Sequence, residues 1–231
     1  MEGIILAGGY GTRLRSVVPD APKPMALIQG KPFLSLVLDR LVTAGFDRAV
    51  LAVGYRYEVI QSYFGERYGA LKLSYSVESA PLGTGGAIRL ALPLTNDSDV
   101  FVINGDTFLE VDYAAMLAAH RCAGGLLSIA VCRVADAGRY GVLELADGKI
   151  RRFREKGVSG PGWMNAGVYV VARQFDRYFP PEDAFSFEQD LLVPKVRAFQ
   201  PIAFITSGLF IDIGIPEDYA RAQTLLQPAA G

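Results

Sequence analysis

Two carboxylates, two cations and a run of glycines carry the chemistry this sequence could perform. Asp106 closes the apolar run "VFVINGD", just after Gly105, and Asp212 closes "LFID", two residues before Gly214. A lone Asp after a strand is more often a turn former than a ligand. Two in matching settings suit a hard divalent cation, usually Mg2+, held partly by substrate phosphates. Near the start, "LAGGYGTRL" sets Gly8, Gly9 and Gly11 ahead of Arg13, and "PKP" brackets Lys23 between Pro22 and Pro24. Glycine lets successive backbone N–H groups converge on phosphate oxygens. Arg can fork across two such oxygens, while Lys offers a compact charge. The loop is not a Walker motif, because no Gly-Lys-Ser/Thr follows, and Leu14 stands where a dinucleotide fingerprint needs its third glycine. Glycines alone fit a tight strand-to-helix turn as well as a ligand cradle; the two cations favour the cradle.

Between the carboxylates lie "FREKG", with Glu155 and Lys156, and "WMNAGVY", with Asn165. Singly they read as a surface ion pair and a turn. Together they offer hydroxyl-binding groups and a cation for a second, smaller phosphate. His120, the single histidine, sits in "DYAAMLAAHR" and reads as a structural residue on a helical surface. A single histidine argues against a serine triad or a multi-histidine zinc site. Cys122 and Cys132 have no metal spacing and no disulfide framework, so they read as reduced thiols of a cytoplasmic protein.

The elements that must position these residues follow from the apolar pattern. Strand-length apolar runs occur at 3–7, 49–53, 72–77 and 99–104, with helical patterns at 32–44, 55–64 and 84–92 between them. Pro32 is expected at the first helical position. That alternation predicts a parallel sheet with helices on both faces, and ligands then bind beyond the carboxyl ends of its strands. After a helix at 112–121 come strands at 126–133, 141–146, 149–154 and 166–172, with a hairpin at Asp147-Gly148. These predict an antiparallel addition and a lid over the first sheet. A helix capped by Ser186, strands at 202–206 and 209–213, and a last helix at "PEDYARAQTLL" complete the order, with "QPAAG" expected to fray.

At 231 residues, 51% of them apolar, the chain has ample material for one large core. A net charge of -1 supplies no basic field for nucleic acid or an anionic membrane. Apolar runs such as "GVYVVA" are too short to span a bilayer, and "MEGIILAGG" lacks the basic start of a secretory leader.

In order and spacing, "LAGGYGTRL", "PKP", "LGTGGA", "NGD", "EK", "NAGVY" and "DIGIPEDY" resemble the sugar-1-phosphate nucleotidyltransferases, over residues 3–225. Within that family "YSVESAPLGTGGAIRLAL", "RYGVLEL", "SFEQDLL" and "FIDIGIPEDYARAQ" are similar to the subgroup that transfers guanylyl to a heptose 1-phosphate. The resemblance implies a Rossmann-like α/β fold: a mixed, mainly parallel sheet with helices on both faces. A small antiparallel sugar-binding lobe and no carboxy-terminal β-helix go with it. It implies one domain, 1–231, with a nucleotide-binding part at 1–112 and a sugar-binding and lid part at 113–225. The reaction implied is NTP plus sugar 1-phosphate giving NDP-sugar and pyrophosphate, with Mg2+ as cofactor and GTP as the favoured nucleotide.

Carried over residue by residue, Leu6, Ala7, Gly8, Gly9, Gly11, Thr12, Arg13, Glu78, Gly83, Thr84, Asn104 and Gly105 would hold the nucleotide. Arg13 would meet the leaving pyrophosphate and Lys23 the reacting phosphates. Asp106 and Asp212 would bind the metal, and Lys156 the sugar phosphate. Gly141, Glu155 and Asn165 would meet sugar hydroxyls. Arg13, Lys23, Asp106 and Lys156 form the implied catalytic set. No nucleic acid or membrane partner is implied, and a homo-oligomer is compatible with the resemblance.

Two positions depart from the family pattern. Thymidylyl and many uridylyl members carry Gln five residues before the base-loop glycine, where this chain has Glu78. A carboxylate only accepts hydrogen bonds, and guanine presents two adjacent donors; the other reading of Glu78 is a solvated strand-end charge. Gly157 follows "EK" where many relatives have Pro, which loosens that turn. Mannose-1-phosphate guanylyl transfer and uridylyl or cytidylyl transfer stay open within the same chemistry. A catalytically silent sensor would require a lost charge among Arg13, Lys23, Asp106, Lys156 and Asp212, all of which are present. An NAD-dependent oxidoreductase would need an acid after the second strand, where "LAVGY" has none.

Overall fold

The computed structural model describes residues 1–9, 14, 22–138, 141–154 and 160–226. Its strands are β1 (Glu2–Leu6), β2 (Leu27–Ile28), β3 (Lys31–Pro32), β4 (Arg48–Val53), β5 (Arg67–Tyr68), β6 (Leu71–Val77) and β7 (Asp99–Asn104). They continue with β8 (Thr107–Leu109), β9 (Leu127–Val134), β10 (Leu143–Ala146), β11 (Lys149–Phe153), β12 (Gly162–Ala172), β13 (Ile202–Ile205) and β14 (Phe210–Asp212). The helices are α1 (Phe33–Thr43), α2 (Tyr57–Phe64), α3 (Gly83–Ala91), α4 (Tyr113–Cys122), α5 (Val193–Phe199) and α6 (Pro216–Leu225).

One large sheet runs in the order β10-β11-β13-β9-β12-β7-β1-β4-β6-β5. β7, β1, β4 and β6 are mutually parallel, as their unbroken apolar runs predict. Burial on both faces explains those runs: Phe101 and Ile103 feed one apolar layer, while Val100 and Val102 feed the other. α1 and α4 cover the first layer through Phe33, Leu38, Leu41 and Met116. α3 covers the second through Ala87, Ile88 and Ala91.

The later strands continue this sheet sideways instead of lying over its ends, because β12 pairs antiparallel with both β7 and β9. β12 begins at Gly162, four residues ahead of the expected strand. Pro32 is the cap of α1, one position before the expected one. Asp147 and Gly148 both take positive φ (52° and 69°), as the hairpin reading requires. Ser186 caps its helix by accepting from the Gln189 N–H at 3.1 Å. That helix opens with a π-helical turn, Phe187–Leu192, before α5. His120 is structural, but it is buried beneath the helical surface where the sequence placed it. Its Nδ1 pairs with the Ser128 hydroxyl at 2.8 Å, so the polar ring is partly satisfied between α4 and β9. Residues 227–231, expected to fray, lie outside the described residues.

Candidate active site

A cavity of about 540 Å³ opens at the carboxyl ends of β1, β4, β6 and β7. Its lining includes Leu6, Ala7, Gly8, Gly9, Lys23, Glu78, Gly83, Thr84, Asn104 and Asp106, ten of the residues singled out from the sequence. Gly54, Tyr55, Ser79, Ala80 and Pro81 also line it and were not singled out.

At one end Lys23 stands between the two aspartates. Its Nζ donates to Asp106 Oδ2 at 2.5 Å and lies 3.8 Å from Asp212 Oδ1. Local structure fixes each partner. Pro22 is extended and Lys23 opens a 3-10 turn over Lys23–Met25, in which Pro24 and Met25 are buried. Those two buried side chains anchor the turn, so the lysine stem leaves it in one direction. Asp106 stands in the two-residue turn between β7 and β8. Asp212 ends β14, which pairs antiparallel with β8 so that Asp212 faces Thr107. The Ile213 N–H donates to the Asp106 carbonyl at 3.0 Å and closes the clip. Two residues 106 positions apart in sequence are thereby held at one ammonium.

Burial pushes the Asp212 carboxyl above its usual range, and the Asp106 charge adds to the shift; Lys23 and the Gly214 N–H act against it. Like charges this close call for a cation, and the ammonium sits where one would be needed. Among the described residues no cluster of three or more His, Cys, Asp or Glu could hold a metal. Two carboxylates plus phosphate oxygens remain a fitting donor set for a hard divalent ion.

At the other end Glu78 leaves β6, its N–H donating to the Val53 carbonyl at 2.8 Å. The carboxylate is half-buried and accepts from the Leu82 N–H at 3.1 Å. Burial raises its pKa, with the Leu82 N–H opposing. A Cβ on Gly8 would lie 3.0 Å from Glu78 Oε1, so that glycine leaves space for the carboxylate over the first loop. Glu78 is therefore a cavity wall, not a solvated strand-end charge. The loop that carries Gly83 and Thr84 is braced from behind. Gly83 has φ +68°, and a Cβ there would fall 2.6 Å from the Phe185 carbonyl oxygen. Thr84 Oγ1 accepts from the Phe187 N–H at 2.9 Å. Gly105 is buried, its N–H donating to the Leu6 carbonyl at 2.9 Å; it joins β7 to β1 behind the cavity and does not line it.

Asn165, expected from the sequence to meet sugar hydroxyls, lies on β12 at an irregularity: Asn165 faces Val131 and Tyr169 faces Ile129, so four steps on β12 match two on β9. Such bulges re-aim side chains. Gly141 precedes β10 with φ +80° and donates to the Ala137 carbonyl at 3.2 Å. Gly11, Thr12, Arg13, Glu155 and Lys156 lie outside the described residues. Sequence reasoning missed Glu188, whose carboxylate Oε2 accepts from Asn165 Nδ2 at 2.6 Å.

The model of the nucleotidyl transferase family matches residues 2–228. The chain is 43% identical over 227 residues to a D-glycero-α-D-manno-heptose 1-phosphate guanylyltransferase of Aneurinibacillus thermoaerophilus, covering 98% of this chain and 99% of that one. It is 38% identical over 220 residues to an enzyme of the same name from Campylobacter jejuni, covering 95% and 97%. The crystal structure of HddC from Yersinia pseudotuberculosis complexed with GMP-PN superposes with a TM-score of 0.85 at 40% identity, over 96% of this chain and 98% of that one. Motif order, sheet topology and near full-length similarity agree: the chain belongs to the nucleotidyl transferase family.

Proposed function

We propose that the chain transfers a guanylyl group from GTP to a sugar 1-phosphate, with D-glycero-α-D-manno-heptose 1-phosphate as the acceptor. The observation that carries this reading is Lys23 between Asp106 and Asp212 at one end of a cavity whose other end is walled by Glu78. The one name shared by the two relatives in Aneurinibacillus and Campylobacter supports the choice of base and sugar.

A phosphate oxygen of the sugar attacks the α-phosphorus of GTP in line, the bond from that phosphorus to the bridging oxygen breaks, and pyrophosphate leaves. The backbone of Gly8 and Gly9 lies alongside the triphosphate. The Lys23 ammonium turns from Asp106 to the reacting phosphates, and Arg13 takes charge on the departing pyrophosphate. Lys156 holds the sugar phosphate. Glu78 accepts from the guanine edge, where uracil and thymine offer only one donor. Mg2+, bound by Asp106 and Asp212, would neutralise phosphate charge at the reacting centre. Such positioning and preorganised charge supply the barrier reduction, about 3–4 kcal/mol for each group removed.

Among the described residues the cavity lining runs from Leu6 to Asp106, which supports a nucleotide-handling part at 1–112, and we assign sugar handling to 113–225. Among the described residues no helix is long and apolar enough to cross a membrane. The free thiols of Cys122 and Cys132 support a location in the cytoplasm. Incubating the protein with each of four NTPs against heptose, mannose and glucose 1-phosphates, with pyrophosphate release as readout, tests the reading. GTP with the heptose 1-phosphate is expected to turn over fastest; preference for UTP or dTTP would refute the base assignment.

A further inference from the structure

The hydrogen-bond inventory around Asn165 redistributes the roles on the sugar side. An asparagine amide has two N–H donors and a carbonyl oxygen. One hydrogen goes to the Tyr169 hydroxyl at 2.7 Å and the other to Glu188 Oε2 at 2.6 Å. Its Oδ1 accepts from the Gly167 N–H at 3.0 Å. No hydrogen is left for a substrate. Glu188 has capacity to spare: Oε2 serves Asn165 and Oε1 accepts from Gln189 Nε2 at 3.1 Å, out of about four acceptor sites on a carboxylate.

The position of Glu188 is fixed from two sides. Its neighbour Phe187 donates its N–H to the hydroxyl of Thr84, which lines the cavity. Asn165, its partner, belongs to the same bulge as Gly167, where a Cβ would fall 2.6 Å from the cavity-lining Asn104 Nδ2. Glu188 lies in the π-helical turn Phe187–Leu192, a geometry that recurs at functional sites. Burial lifts the Tyr169 hydroxyl well above its usual range, and the carboxylates of Glu188 and then Asp106 add to that, so both charges act on one ring. Glu188 therefore sits beside β12, next to the segment that braces the nucleotide cavity, and its carboxylate and that of Asp106 both act on Tyr169.

We infer that Glu188 is the group that accepts a hydrogen bond from a hydroxyl of the sugar 1-phosphate, and that Asn165 is the positioning residue that aims it. This inference rests on the proposed sugar-1-phosphate reading of the site. Ionised carboxylates make stronger hydrogen bonds than amides, and a site built to bind one hydroxyl rejects analogues that lack it. A sugar lacking that hydroxyl leaves the carboxylate without its partner.

Kinetics of wild type, Glu188→Gln and Asn165→Ala with GTP against the parent sugar 1-phosphate and its single-deoxy analogues test the assignment. Glu188→Gln is expected to raise the KM for the parent sugar by about 10- to 100-fold while the KM for GTP stays within about twofold. The penalty should vanish with one deoxy analogue, and Asn165→Ala should show a smaller penalty on that same analogue. An unchanged sugar KM, equal losses with every analogue, or an equal rise in the KM for GTP would overturn the inference. Glu188→Asp, which keeps the charge but withdraws it, goes through the same series if Glu188→Gln does not fold. If wild type turns over no pair, the functional reading fails first. Calorimetric binding of the sugar 1-phosphate then tests Glu188 alone, and an unchanged Kd in Glu188→Gln overturns it.

Discussion

Glu78 is a carboxylate held in a half-buried wall with one N–H, from Leu82, to satisfy it. Its folded pKa lies above the ordinary glutamate value because burial disfavours the charge. The folded state then binds a proton more readily than the unfolded chain, so stability falls as pH rises through that window. Glu78→Gln has no proton to lose. Its melting temperature is expected to match wild type near pH 4 and to exceed it at neutral pH, in thermal melts across that range. The same substitution should cut the GTP-over-UTP ratio of kcat/KM by about tenfold or more, because an amide suits uracil better than a carboxylate does. An unchanged ratio would remove Glu78 from base selection. Lys23, Asp106 and Glu78 were legible as residues because each follows a strand or a proline-bracketed turn in a recognisable motif. Glu188 was not: in "SFEQDLL" it looks like one more helical surface charge, and only folding brings it to Asn165, 23 residues earlier.

Elements hold the site through a few non-local ties. Glu2 joins the first residue of β1 to the segment before β7, accepting from the Asn96 N–H at 2.5 Å and the Asp97 N–H at 3.2 Å. Burial opposes its ionisation, but these N–H groups, the Asn96 side chain and Arg48 outweigh it and hold the pKa below the ordinary value. The sign is opposite to that of Glu78: the contribution is present above the ordinary glutamate pKa and is lost as pH falls through the lowered one. Denaturant unfolding of Glu2→Gln is expected to show a loss of about 1–3 kcal/mol at neutral pH, shrinking toward zero in acid. At α3, Gly83→Ala must meet the Phe185 carbonyl 2.6 Å away in a left-handed conformation. A loss of about 1–3 kcal/mol together with a raised KM for GTP is expected. The element order was readable from apolar runs, since strands buried on both faces cannot alternate. The bulge at Asn165, the π-helical turn and the depth of His120 were not readable. Each depends on a partner outside its own element: β9 for the bulge, the loop at Thr84 for the turn and Ser128 for the histidine.

At the scale of the molecule, the ten-stranded sheet brings the loop after its fourth parallel strand, and a separate two-stranded clip of β8 with β14 brings the last tenth of the chain, to the same ammonium. The parallel half presents the cavity, and the antiparallel half, joined through β12, presents Asn165, against which the π-helical turn sets Glu188. That joining explains why the sequence shows no boundary between two independent domains: β7 and β12 share hydrogen bonds and both apolar layers. The account stands on Asp106 and Asp212 acting together on the reacting phosphates. The measurement that reaches this most directly is single-turnover pyrophosphate release from GTP and the heptose 1-phosphate by wild type, Asp106→Asn and Asp212→Asn, each verified as folded. Both variants are expected to lose at least about 100-fold in rate; a wild-type rate in either one would contradict the shared site.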